Sequence, residues 1–83
     1  MTAQIDQLYA DSEVDVRLLT FEQAAKEIMR CLIGVAPGEL VEIKVADPTI
    51  AGRLIEWART IGQKIIGSSA DSDSQRVYLE RQY

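Results

Sequence analysis

The sequence predicts an α/β (α+β) two-layer sandwich, in which two helices cover one face of a four-stranded mixed sheet. Three observations support this fold class. Apolar and polar residues alternate with a period of two in four segments, as in strands with one buried face. Two segments with the apolar spacing of an amphipathic helix lie between the first three strands. A polar stretch lies between the last two. The order is therefore β-α-β-α-β-β. A strand–helix–strand connection makes the first two strands parallel, through a right-handed crossover.

The first strand is predicted from residue 13 onward. Val14, Val16 and Leu18 alternate with charged residues, so these three side chains are expected on the buried face. Residues 1–12 are polar without a clear period and are expected to form a flexible lead-in. The folded unit is then a single domain over residues 13–83.

The first helix is predicted to begin after Thr20. Thr20 and Gln23 have the spacing of a capping box, in which each side chain binds the backbone N–H of the other residue. The helix is expected to lie on the sheet through one apolar stripe. That stripe comprises Phe21, Ala24, Ala25, Ile28, Leu32 and Val35.

The second strand and the second helix follow a turn at Pro37-Gly38. The strand is predicted from the alternation of Val41, Ile43 and Val45 with Glu42 and Lys44. The helix is predicted to start at Asp47-Pro48. Asp is a good N-cap, and the N–H that Pro lacks would have no partner in the first turn of a helix. Gly62 is expected to end it in the left-handed conformation. Its apolar stripe comprises Ile50, Leu54, Trp57, Ala58 and Ile61.

The last two strands are predicted at residues 63–69 and 75–81. The polar residues 69–74 between them form a hairpin loop that is too long for a tight two-residue turn.

Charge and composition restrict the function. The formal net charge of −4 and the absence of a basic stripe oppose nucleic-acid binding. One cysteine and no histidine exclude an intramolecular disulfide, a histidine general base and a typical zinc site, so neither a metal nor a cofactor is expected. The N-terminal residues lack the features of a secretory signal, and no apolar run approaches the roughly 20 residues of a membrane span. The expected compartment is the cytoplasm, without membrane association.

Residues 15–48, DVRLLTFEQAAKEIMRCLIGVAPGELVEIKVADP, resemble the small sulfur-carrier proteins of the TusA (SirA-like) family. Chains of that family typically run Asp-x-x-Gly-Leu-x-Cys-Pro-x-Pro, a helix, Pro-Gly-Glu, a strand and an Asp-Pro turn. Asp15, Leu19, the turn 37–39 and the pair 47–48 match this pattern. The resemblance implies the same β-α-β-α-β-β fold and a role in sulfur relay.

The chain departs from that pattern where the family has its chemistry. The family cysteine, which carries the transferable sulfur as a persulfide, corresponds to Phe21. The family prolines correspond to Glu22 and Ala24, and the turn glycine to Leu18. A helix N-terminus lowers the pKa of a thiol and favours the reactive thiolate, but phenylalanine cannot act in this way. Phe21 is expected either in the core or as an exposed contact for a partner.

Cys31 is the fallback nucleophile. It lies ten residues after Phe21, or roughly 15 Å along a helix, in the last turn, where the helix dipole disfavours a thiolate. A half-buried packing residue is therefore the expected role of this cysteine.

The favoured hypothesis is a non-catalytic TusA-like protein that binds protein partners of a sulfur-relay or related system, or a second copy of itself. One alternative is an active sulfurtransferase that uses Cys31, and another is a small α/β RNA-binding module. The candidate partner-binding residues lie at the start of the first helix or on the sheet face that the helices leave uncovered. They are Arg17, Thr20, Phe21, Glu22, Leu40 and Tyr78.

Overall fold

The helices and strands follow the predicted order. The computed structural model describes residues 10–70 and 74–83. The elements are β1 (Ser12–Asp15), α1 (Phe21–Ile33), β2 (Leu40–Val45), α2 (Pro48–Thr60), β3 (Lys64–Ala70) and β4 (Gln75–Glu80). Neither helix, at 13 residues each, is long and apolar enough to cross a membrane.

The four strands form one mixed sheet in the order β1-β2-β4-β3. β1 runs parallel to β2, as the crossover through α1 requires, and β4 is antiparallel to both of its neighbours. The last strand is thus inserted between β2 and β3. The register aligns Val14 with Ile43 and Ile43 with Val77, so these three side chains point to the same face.

The core lies between that face and both helices, which confirms the predicted two-layer sandwich. The sheet contributes Val41, Ile43, Val45, Val77 and Leu79, all at most 1% exposed. The helices contribute Ala24, Ile28, Leu32, Ala51, Leu54 and Ala58. Each of these residues belongs to an amphipathic element, so the sandwich buries its apolar stripes together.

Both predicted helix starts are confirmed. The Gln23 N–H donates to Thr20 Oγ1 (3.2 Å) and the Thr20 N–H donates to Gln23 Oε1 (3.0 Å), which completes the capping box. At α2 the Ile50 N–H donates to Asp47 Oδ1 (2.9 Å), and Pro48 is the first helical residue. Each cap of this kind is worth about 1 kcal/mol.

The C-terminal residues fasten the far ends of the two helices. Gly62 follows α2 with a φ of +90°, as predicted, and the Tyr83 hydroxyl donates to the Ile61 carbonyl beside it (2.9 Å). The Arg81 guanidinium donates to the carbonyls of Leu32 and Val35 at the end of α1. A long-range contact therefore adds a second donor to the Leu32 carbonyl and supplies one to the Val35 carbonyl, just beyond the helix end.

The first strand differs from the prediction at both ends. It ends at Asp15, because the Asp15 carboxylate accepts the Arg17 N–H (3.1 Å) and the Leu19 N–H donates to the Val16 carbonyl, so the chain turns. Val16 is still buried, but Leu18 lies in the turn with its side chain 97% exposed. The prediction of a buried Leu18 was wrong. β1 also starts at Ser12, inside the stretch expected to be a lead-in, whereas residues 1–9 and the tip of the predicted hairpin loop, 71–73, lie outside the described residues.

Candidate functional site

The candidate site lies where the parallel strands β1 and β2 end and where both helices begin. Because β1 and β2 point the same way, their C-terminal ends lie at one edge of the sheet. Thr20 and Asp47, the two N-caps, lie at the same edge. In open α/β sheets this edge is where ligands usually bind. We define the strand-end site by its lining residues Asp15, Arg17, Leu18, Leu19 and Ala46.

The strand-end site is an open groove of about 550 Å³ with a largely apolar lining. Leu18 projects from the turn after β1 and is 97% exposed, whereas Leu19 next to it packs against the core. An isobutyl group held in water by a short turn costs free energy, which burial against a partner would recover. The turn therefore presents an exposed apolar side chain beside the groove.

The charged part of the strand-end site is a two-pronged ion pair. Arg17 donates from Nε to Asp15 Oδ1 (3.0 Å) and from Nη2 to Asp15 Oδ2 (2.8 Å). These side-chain hydrogen bonds, together with the one from the Arg17 N–H, lower the pKa of Asp15 to about 2. Asp15 is therefore ionised at neutral pH and cannot serve there as a general acid.

Phe21 is the first residue of α1. One side of its half-buried ring packs against the core, and the Arg53 guanidinium of α2 lies over it, 4.2 Å from the ring centroid. A stacked pair of this kind contributes about 0.5–1 kcal/mol at an exposed site. The expected core position of Phe21 holds in part, because the ring is only half-buried, and its contact with a partner stays a prediction.

The predicted contact residues divide into two groups. Arg17 lines the strand-end site, and Thr20, Phe21 and Glu22 lie beside it at the start of α1, where Glu22 is the acidic residue of the first turn. Leu40 begins β2 and so lies at the opposite end of that strand, half-buried. The structure therefore brings four of the six residues together.

Tyr78 lies on the sheet face opposite the helices, as expected from its alternation with Val77. It is aligned with Glu42 on one side and Gly67 on the other. Its side chain is only 1% exposed, however, and so it offers no surface to a partner. On the same face, Glu42 and Arg76 form an ion pair (3.2 Å between Nε and Oε2). This finding removes Tyr78 from the contact residues.

Cys31 is separate from the strand-end site. It lies in the last turn of α1, half-buried against the core as predicted. Burial raises the pKa of the Cys31 thiol above its ordinary value, although a hydrogen bond with Ser12 acts in the opposite direction. A thiol that ionises less readily than usual is a poor nucleophile at neutral pH. Among residues 10–70 and 74–83, no group of three acidic or cysteine side chains is arranged to hold a metal ion.

Two features at this end of the fold were not predicted from the sequence. The exposure of Leu18 follows from the turn that Asp15 and Arg17 make. An Asp whose carboxylate can accept the backbone N–H two residues further on is a known turn signal. The contact of Arg53 with Phe21 joins the two helices, and the two residues are 32 positions apart in the sequence. No local pattern predicts such a pair.

Comparison with known proteins defines the fold only. No protein-family model matches the chain, and no curated protein matches it. The solution structure of HP1264 from Helicobacter pylori is similar to it, with a TM-score of 0.58 and 13% sequence identity. The similarity covers 86% of this chain and 97% of the Helicobacter chain.

Proposed function

We propose that this protein is a non-catalytic, TusA-like binding module that recognises another protein through the strand-end site. The observation that carries the proposal is Leu18, an apolar side chain that is 97% exposed at the mouth of a groove. Burial of a leucine side chain contributes about 1.5–3 kcal/mol, enough to anchor a small interface.

The geometry around Phe21 supports binding without covalent chemistry. A sulfur carrier needs a thiolate at this helix start, but here a phenyl ring lies beneath the Arg53 guanidinium. The only thiol, Cys31, lies near the other end of α1, and its pKa is raised. The same end of the fold is therefore proposed to meet a sulfur-relay protein without exchanging sulfur with it.

The proposed partner surface is apolar at its centre and polar around it. Leu18 would enter a pocket of the partner, and the Asp15–Arg17 pair would border the contact with charges already held in place. Charged groups at the rim of an interface chiefly affect specificity and association rate. Leu18 is thus expected to determine the affinity.

The proposal is tested by affinity capture with purified wild-type protein, Leu18→Asp and Ile33→Asp. Ile33 is a matched control, because it is also an exposed aliphatic residue (78%) but lies near the other end of α1. Proteins that bind wild type and Ile33→Asp but not Leu18→Asp would support the strand-end site. If every captured protein still binds Leu18→Asp, the proposal is contradicted.

The absence of catalysis is tested separately. The protein is incubated with a purified cysteine desulfurase and free cysteine, and its intact mass is then measured. The expected result is an unchanged mass. An added sulfur that Cys31→Ser abolishes would show that the protein is an active carrier and would refute the non-catalytic part of the proposal.

A further inference from the structure

A second apolar groove lies on the outer surface of the helical layer, between α1 and α2. We define the interhelical groove by its lining residues Ala25, Lys26, Met29, Arg30, Ile33 and Trp57. Its volume is about 510 Å³. It shares no residue with the strand-end site, so its role does not depend on the function proposed above.

The apolar wall of the interhelical groove extends beyond what the core uses. Ala25, Met29 and Ile33 are spaced by four residues and form a second stripe beside the buried Ile28 and Leu32. Met29 is 45% exposed and Ile33 is 78% exposed. From Ala25 to Ile33 the stripe covers roughly 12 Å of helix, about two turns of a partner helix.

Trp57 of α2 forms the other wall, packed against the core but half-exposed to the groove. At the C-terminal end, Met29 and Ile33 also line a smaller hollow with Tyr83, which is 70% exposed. Tryptophan and tyrosine are the residues that contribute most to binding at protein interfaces. The groove therefore continues past the end of α1 over an aromatic side chain.

Basic side chains border this groove in a chain whose net charge is −4. Lys26 and Arg30 line it. Arg30 is 77% exposed, and its one ion pair among residues 10–70 and 74–83 is with Glu27, at 3.7 Å. Within the described part of the chain, Lys26 takes part in no ion pair. An exposed pair between neighbouring turns contributes little, so both cations are available to an incoming acidic group.

These charges distinguish between occupants. A second copy docked by a two-fold axis would bring Lys26 and Arg30 of both copies to the same interface, and like charges repel. A helix that carries acidic residues beside its apolar face would instead complement the groove in both shape and charge.

We propose that the interhelical groove binds an amphipathic helix of a partner protein whose apolar face is flanked by Asp or Glu. The partner's apolar residues pack on Met29, Ile33 and Trp57. Its carboxylates pair with Lys26 and Arg30.

The test uses Trp57 as its reporter, because it is the only tryptophan of the chain. Two synthetic amphipathic helices of about five turns are titrated into the full-length protein, each with leucines at positions i, i+3, i+4 and i+7. One has glutamates and the other has lysines beside the leucines. We expect the acidic peptide to shift the Trp57 emission to shorter wavelength and to bind at least about tenfold more tightly at low salt, with a difference that shrinks as salt is added.

Three variants complete the test, each checked for folding by circular dichroism. Ile33→Asp is expected to lower the affinity for the acidic peptide at least about tenfold. Leu18→Asp is expected to leave that affinity unchanged, because the substitution alters only the strand-end site. Lys26→Glu is expected to reduce the preference for the acidic peptide. The proposal would be overturned if neither peptide binds, if both bind with equal affinity, or if the acidic peptide binds Ile33→Asp as tightly as wild type. So would a dimer in sedimentation velocity that Ile33→Asp dissociates, since the occupant would then be a second copy.

Discussion

The contact between Arg81 and the end of α1 predicts a large stability effect for a single arginine. Arg81 Nη1 donates to the Leu32 carbonyl (2.9 Å) and to the Val35 carbonyl in a part-buried position. The Leu32 carbonyl also accepts the Val35 N–H (3.2 Å), so it keeps a partner when the arginine is removed. Arg81→Ala should therefore cost mainly the hydrogen bond to Val35 and the favourable charge at the helix C-terminus.

The magnitude follows from these two contributions. A hydrogen bond with a charged donor is worth about 1.5–3 kcal/mol, and a cation at a helix C-terminus about 0.3–1 kcal/mol. Partial access of water to the carbonyls lowers the sum, and we expect a loss of about 2 kcal/mol. A chain of this size is stable by roughly 4–12 kcal/mol, and each kcal/mol shifts Tm by about 4–8 °C. Arg81→Ala should accordingly lower Tm by roughly 10 °C.

Urea and thermal unfolding followed by circular dichroism measure this effect. Arg81→Lys keeps the charge but presents a single ammonium group, and we expect it to lose about half as much. Arg59→Ala, in the exposed last turn of α2, is the matched control and should change stability by less than about 0.5 kcal/mol. Equal losses for Arg81→Ala and Arg59→Ala would refute the reasoning.

Three further outcomes are expected. Gly62→Ala should destabilise the protein by about 1–2 kcal/mol in urea unfolding, because φ is +90° there and a Cβ would collide with the Tyr83 phenol. Adding Tyr83→Ala to this variant should recover only part of the lost stability, because it removes the collision but not the strain of a positive φ. Cys31 should react with iodoacetamide more slowly in the folded protein than in urea at the same mildly alkaline pH, because burial raises its pKa; equal rates by mass spectrometry would contradict this. Asp15→Asn should lower the free energy of unfolding by less than about 1 kcal/mol, since the carboxylate is half exposed. The full difference from wild type should be present above the ordinary pKa of 3.8 and should disappear as the pH falls through about 2, which urea midpoints across that range would show.

The strand-end site was predictable only in part. The capping signal at Thr20 correctly placed Phe21 at the start of a helix, and the helical spacing correctly placed Cys31 at its other end. The exposed Leu18 and the stack of Arg53 on Phe21 were not predicted. The first depends on a turn that ends an alternating pattern early, and the second on how two helices pack side by side.

The burial of Tyr78, on the sheet face opposite the helices, was not predictable either. Alternation along β4 correctly assigned Tyr78 to the face opposite the helices. It did not predict an exposure of 1%, because the accessibility of a side chain depends on everything that packs around it. A period of two assigns a face and carries no information on what covers that face.

The sequence alone determined the helices and strands, their order, where each helix begins and where the chain turns after it. These features depend on a few neighbouring residues: an N-cap at Thr20 or Asp47, a glycine at residue 38 or 62 with positive φ, and the spacing of apolar side chains. Only the tertiary structure decided that β4 lies between β2 and β3, and that Arg81 reaches a carbonyl 46 residues earlier in the chain. Strand order and long-range contacts depend on which surfaces meet when the whole chain folds, and nearby residues do not specify that choice.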